Sequence, residues 1–163
     1  MSISREAFDP HDHDVCIAGA LDAAELLCLR RGARLTGRRR RVLELVWRSH
    51  LAAKAYDLLE AMARDEPGVK PPTVYRALDF LVAQGLVHRI ESLNAFVGCS
   101  RPGKVHREQF LICDECGTVQ EVEIPEVGRS LARAATGAGF QAAHQMVEVH
   151  GRCDSCRPHA ARS

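Results

Sequence analysis

The chain has 163 residues, enough for one ordinary domain or two small ones, and its 46% hydrophobic content can bury a real core. No stretch approaches the roughly 20 uninterrupted apolar residues of a membrane helix. The start of the chain, with Asp9, Asp12 and Asp14, lacks the basic-then-apolar order of a signal peptide, so the expected compartment is the cytoplasm. The formal net charge of +1 hides an uneven distribution: from Arg30 to Arg48 there are eight arginines against a single acid, Glu44, which predicts a local basic surface suited to nucleic acid.

Residues 1–20 show no periodicity and read as a loosely ordered arm, in which His11 and His13 are most simply solvated. From Leu21, the residues Leu21, Ala24, Leu27 and Cys28 share an apolar face, with Asp22 and Glu25 early and Arg30 and Arg31 late, as a helix dipole favours. Thr36 is an N-cap for a second helix whose stripe is Val42, Leu43, Val46 and Trp47. A third helix runs from about Ala55 to Arg64 and stops before Pro67 and Gly68. Pro71 and Pro72 open a fourth over 73–84, closed by Gly85, with Val74, Leu78 and Leu81 facing inward. The alternation of Leu86–Ile90, a turn at Asn94 and a return over Ala95–Cys99 read as a hairpin. Helices followed by a hairpin make a winged helix-turn-helix over residues 21–100. A hinge at 101–105 then leads to a second domain at 106–157, with strands near 108–113, 118–124 and 144–150 and a helix near 126–138, before a tail at 158–163. The expected class is α+β.

In a helix-turn-helix the second helix of the pair enters the major groove while basic neighbours hold phosphates. Tyr75 and Arg76 lie near the N-terminal end of that helix. An arginine there spans guanine bidentately, and a tyrosine contacts a thymine methyl or a phosphate. Lys70, Tyr56, Thr73 and part of the Arg38–Arg41 run, Arg39 included, are the phosphate-contact candidates. Against this stand a packed core aromatic at 75 and a salt-bridged arginine at 76.

Seven cysteines in a reducing compartment point to metal or thiol chemistry. Cys113-x-x-Cys116 and Cys153-x-x-Cys156 are two knuckle-type pairs that together supply four thiolates to one tetrahedral zinc, a closed site of structural type. The 36 residues between them must fold so as to carry the second pair back to the first. A second, mixed set comprises His88 on the hairpin, Cys99 at its end, His106 past the hinge and Glu121 on a later strand. Two imidazoles, one thiolate and one carboxylate neutralise a zinc ion and suit it better than a harder metal. A metal at that set would fix the winged helix relative to the second domain, which the four-cysteine site, lying wholly inside that domain, cannot do.

The stretches Lys70-Pro-Pro-Thr-Val-Tyr-Arg-Ala-Leu-Asp-Phe-Leu81, His88-x-x-Glu91-Ser92-x-Asn94 leading to Cys99, and Cys113-Asp-x-Cys-Gly117 resemble the ferric uptake regulator family, in particular its zinc-responsive branch. The likeness spans about residues 21–157. It implies a homodimer whose winged helices bind palindromic double-stranded operator DNA, a small C-terminal α/β dimerisation domain, and repression of zinc-uptake genes. It also implies structural zinc on Cys113, Cys116, Cys153 and Cys156 and regulatory zinc on His88, Cys99, His106 and Glu121. Many relatives carry a His-x-His run before the first cysteine pair. Here that stretch is Arg107-Glu-Gln-Phe110, which weakens the case for a third metal site around His144.

Neither a membrane nor a small organic substrate is expected as a partner, and no catalytic group is assigned. Two other readings stay open: a sibling regulator of iron, manganese or peroxide, whose regulatory ligands are typically nitrogen and oxygen rather than the sulfur of Cys99, and a zinc deaminase. The second draws on His106-x-Glu108 before Cys113-x-x-Cys116, although four residues between Glu108 and Cys113 are too few to bring the ligands from two separate helices.

Overall fold

The computed structural model describes residues 13–104 and 106–157; His11, the first twelve residues of the expected arm, hinge residue 105 and the tail at 158–163 lie outside them. Two compact units divide at Lys104.

The first unit contains α1 (His13–Arg30), α2 (Gly37–Trp47), α3 (Ala55–Asp65) and α4 (Pro71–Ala83), then the hairpin β1 (Val87–Ile90) and β2 (Ala95–Gly98). Its core gathers one face of each helix: Ala24, Val42, Leu43, Val46, Leu58, Met62, Val74, Leu78 and Leu81 are buried together. This is the winged helix-turn-helix of the expected α+β class. The arm, expected to reach residue 20, is corrected from His13 onward. Asp14 occupies the first turn of α1 and Ile17 packs against the core, so the alanine-rich segment has both a dipole partner and an apolar anchor. Thr36 caps α2, its side chain accepting from the Arg39 amide. Gly85 takes φ +63°, the left-handed conformation that ends α4. Asn94 turns the hairpin at φ 46° with its side-chain oxygen accepting from Arg89 at 3.0 Å. Ala53 adds a bridge to the hairpin's open edge, exchanging two 2.8 Å hydrogen bonds with Phe96.

The second unit is a three-stranded sheet in the order β4-β3-β5, built from β3 (Glu108–Cys113), β4 (Val119–Glu121) and β5 (Met146–Gly151), with α5 (Pro125–Gly137) in the connection. β4 runs antiparallel to β3, and β5 runs parallel to it with Gly151 opposite Cys113. The strand expected to reach residue 124 stops at Glu121 because a side chain replaces the ladder. Val122 N–H still donates to the Gln109 carbonyl at 2.9 Å, but beyond it the buried Gln109 amide accepts from Ile124 N–H at 2.9 Å and donates to its carbonyl at 3.2 Å. Gln109 thereby satisfies the residue that precedes α5.

Replacing Gln109 with Leu removes the partner of the half-buried Ile124 N–H, while the Ile124 carbonyl keeps its bond from Val127 N–H at 3.1 Å. Stability of the second unit should fall by about 1–3 kcal/mol, read by chemical denaturation of the metal-loaded chain; an unchanged midpoint would remove this role for Gln109.

Candidate metal centres and nucleic-acid interface

β3 and β5 run parallel and end together, so each delivers a cysteine pair to the same end of the sheet. Cys113 is the last residue of β3. Its amide donates to the Thr118 carbonyl and its carbonyl accepts from Gly117 N–H, both at 2.9 Å, which folds Cys116 back beside it. Gly117 needs φ +73° for that turn. Two residues past β5, Cys153 starts a second turn, its carbonyl accepting from Cys156 N–H at 3.0 Å and Arg157 N–H at 2.9 Å. Asp114 N–H donates to the Gly151 carbonyl at 2.8 Å and joins the two turns.

The four Sγ atoms lie within 4.8 Å of one another, and Cys116 and Cys153 are 3.9 Å apart. A tetrahedron with metal–sulfur bonds of about 2.3 Å has sulfur–sulfur edges of about 3.8 Å. The donors are therefore already at zinc spacing. Hydrogen bonds from the backbone N–H groups of Cys116 and Cys153, the latter at 3.4 Å, bring the Cys113 thiol down to about 6 despite its burial. Hydrogen bonding to the Cys153 sulfur, with burial and the other two cysteines adding to it, pushes Cys156 up to about 12. One thiolate is welcome in the cluster and a fourth is strongly opposed, the electrostatics of a group that needs a cation at its centre. Zinc fits this donor set.

The mixed set divides between the units. His88 on β1 and Cys99, the residue after β2, are both buried, with donor atoms within 4.8 Å of each other, and the Cys99 amide donates to the Leu86 carbonyl at 3.0 Å. In the second unit, His106 Nε2 lies 2.7 Å from Glu121 Oε1, with both side chains almost completely covered. Each pair supplies two donors of the kind zinc takes, one imidazole with one anion-forming group.

The deaminase arrangement does not form. His106 faces Glu121, Glu108 lies 3.4 Å from His144, and the cysteine cluster contains neither. His144 is well exposed, with Glu108 as its neighbour.

On the helix-turn-helix, Tyr75 and Tyr56 are 53% and 67% exposed, which excludes a packed core aromatic at 75. Lys70 and Arg76 are exposed, with no ion pair among the described residues, and Thr73 is half-buried in the first turn of α4. The arginine run behaves differently from its sequence. Arg38 forms a double contact with Glu66, whose carboxyl that hydrogen bonding holds below its usual range. Arg41 reaches Glu44 and Asp65, and Arg40 reaches Glu25. Arg39 lies 3.5 Å from the centre of the Phe80 ring and donates to the Arg34 carbonyl at 2.6 Å. In the free chain the run is therefore partly neutralised by acids on α1, α2 and α3 and just beyond α3, and Arg39 stacks on Phe80 of α4. Sequence reasoning missed Glu25, Asp65 and Glu66 as partners because nothing in their local pattern differs from ordinary helix-surface acids.

The profile of the Ferric uptake regulator family matches residues 30–150. The Zinc uptake regulation protein of Escherichia coli (strain K12) is 43% identical over 139 residues, 83% of this chain and 80% of that protein. A solved structure of a zinc uptake regulator complexed with zinc and DNA superposes with a TM-score of 0.82 at 42% identity, over 86% of this chain and 94% of the other. The crystal structure of holo XcZur gives 0.76 at 46% identity, over 83% and 95%. With a match to most of its length, and with the paired cysteine turns and winged helix in place, the chain belongs to the ferric uptake regulator family.

Proposed function

We propose that the chain is a zinc-responsive repressor that binds palindromic operator DNA as a homodimer in the cytoplasm and switches off zinc-uptake genes when zinc is plentiful. The observation that carries this reading is the 0.82 superposition at 42% identity on a zinc uptake regulator complexed with zinc and DNA. The donor chemistry of this chain agrees with it.

Cys113, Cys116, Cys153 and Cys156 are the structural ligands. They close the end of a small sheet whose apolar core is slight, so coordination free energy there is folding free energy. His88, Cys99, His106 and Glu121 are the regulatory ligands. Neither buried pair completes a coordination shell alone, whereas the two together give four donors and two negative charges, and the sulfur of Cys99 favours zinc over iron or manganese. Zinc at that set supplies a bond network joining a residue of the hairpin to residues of the second unit. DNA binding is assigned to the first unit, from α1 to Cys99, and dimerisation to residues 106–157.

Arg76 and Tyr75 are the base-reading residues, and Lys70, Tyr56 and Thr73 hold the backbone. Homodimerisation is supported by the second unit's unfinished surface: Leu131 on α5, Phe140 just past it and Val149 on the edge strand β5 are left exposed, and a second copy would cover them. Moving a conformational equilibrium from 1:99 to 99:1 takes about 10⁴-fold, or about 5.5 kcal/mol, of differential affinity, within reach of metal coordination. Reciprocity requires operator DNA to tighten zinc binding by the same factor that zinc tightens DNA binding.

The test is a metal titration of binding to a duplex selected from a randomised pool by the zinc-loaded chain, comparing zinc with iron and manganese. Zinc should drive binding at the lowest free concentration, with two zinc ions per chain by metal analysis; a response led by iron or manganese overturns the zinc assignment. His88→Ala or Cys99→Ser should abolish zinc-dependent binding and leave a folded dimer with one zinc per chain. Cys113→Ser should instead lose the structural ion and cooperative unfolding of the second unit, seen by calorimetry. Arg76→Ala should cost about 1–3 kcal/mol and relax preference at one base pair, whereas Lys70→Ala should weaken all duplexes alike and reduce the salt slope by about 1.

A further inference from the structure

Trp47, the last residue of α2, packs its indole against Gly98, the last residue of β2. A Cβ at position 98 would sit 2.2 Å from Trp47 Cε2, 2.3 Å from Nε1 and 2.6 Å from Cζ2. Such distances are far inside van der Waals contact, and what they meet is the middle of a rigid indole rather than the tip of a flexible side chain. Gly98 thus gives the ring its seat. The residue that follows is Cys99, and the strand that pairs with β2 carries His88. At the other end of the contact, α2 packs its Val42, Leu43 and Val46 into the core that holds Val74, Leu78 and Leu81 of α4. Arg39 on the same helix lies over Phe80 of α4.

We propose that Trp47 is a positioning residue that couples the Cys99 donor to the DNA-reading helix within the N-terminal unit, and that Gly98 exists to let the indole reach the strand. The proposal rests on the reading of Cys99 and His88 as regulatory ligands. A shift of Cys99 on coordination moves Gly98 with it, because the two are adjacent on a strand fixed by the Cys99 amide to Leu86. The indole is in close contact with Gly98, so the shift passes to α2 and, through the shared core, to α4. A residue at 98 with any side chain displaces the ring and breaks the relay without removing a donor group.

Trp47 is the chain's only tryptophan, so the tryptophan emission comes from this ring alone. In the full chain carrying its structural zinc, titration with Zn²⁺ should change Trp47 emission in step with uptake of the second equivalent, and Cys99→Ser should remove the change. Gly98→Ala should still take up the second equivalent, within about threefold of the wild-type affinity, but show at least a tenfold smaller zinc-dependent gain in affinity for the selected duplex. Trp47→Phe, which keeps a flat ring, should retain more of the gain than Trp47→Ala. Emission that is silent through the second equivalent while DNA binding switches on overturns the proposal, as does a wild-type gain in Gly98→Ala. If Gly98→Ala does not fold, the wild-type emission titration and the Phe-against-Ala comparison decide. A wild-type zinc response in Cys99→Ser overturns the ligand assignment itself; silent emission with Cys99 essential overturns only the relay.

Discussion

Four cysteine sulfurs within 4.8 Å of one another cannot all be thiolates unless a cation sits among them, and the C-terminal unit is arranged around that requirement. The parallel pairing of β3 with β5, the left-handed Gly117, the Asp114–Gly151 hydrogen bond and the shared amides of Cys116 and Cys153 all serve to hold the sulfurs at tetrahedral spacing. A sheet of three strands, one of them three residues long, has little apolar area with which to oppose chain entropy. Metal coordination is the ordinary remedy for a unit of this size. Gln109 adds a local one, bonding both the N–H and the carbonyl of Ile124 just past the end of the β4 ladder.

The N-terminal unit solves a different problem, which is to present α4 in a fixed attitude. Its helices bury a continuous apolar cluster, and the charged residues reinforce it from outside. Arg38 and Arg41 tie α2 to the C-terminal end of α3 through Glu66 and Asp65, next to the turn that leads into α4, and Arg39 covers Phe80 of α4 itself. Exposed ion pairs contribute little singly, roughly 0–1 kcal/mol. Their effect here is to fix orientation, while Lys70, Arg76 and the two exposed tyrosines stay open to a partner.

The two proposed donor sets illustrate two kinds of legibility. Paired Cys-x-x-Cys spacing states its chemistry in the sequence, since two residues between cysteines bring both sulfurs to one side of a tight turn whatever surrounds them. The mixed set carries no such local geometry. Its members are single residues separated by 11, 7 and 15 positions in the chain order His88, Cys99, His106 and Glu121, and each intervening stretch contains other polar groups. Family resemblance picked them out. What the structure adds is that His88 and Cys99 are buried side by side and that His106 meets Glu121, which is unusual company for isolated surface residues.

The sequence by itself determined the bounds of α2 to α4 to within a few residues, the hairpin, the class of fold and the four-cysteine cluster, because each rests on contacts within a few residues: a Thr36 cap, a Gly85 stop, an Asn94 turn, a two-residue cysteine spacing. Tertiary structure alone decided the rest. Glu25, Asp65 and Glu66 partly neutralised a run of arginines that looked open, an apolar anchor at Ile17 extended α1 into the expected arm, and a glutamine side chain ended a strand early. It also brought Trp47 onto Gly98, 51 positions away. Charge neutralisation and close packing depend on what arrives from distant parts of the chain, and local pattern holds no record of that arrival.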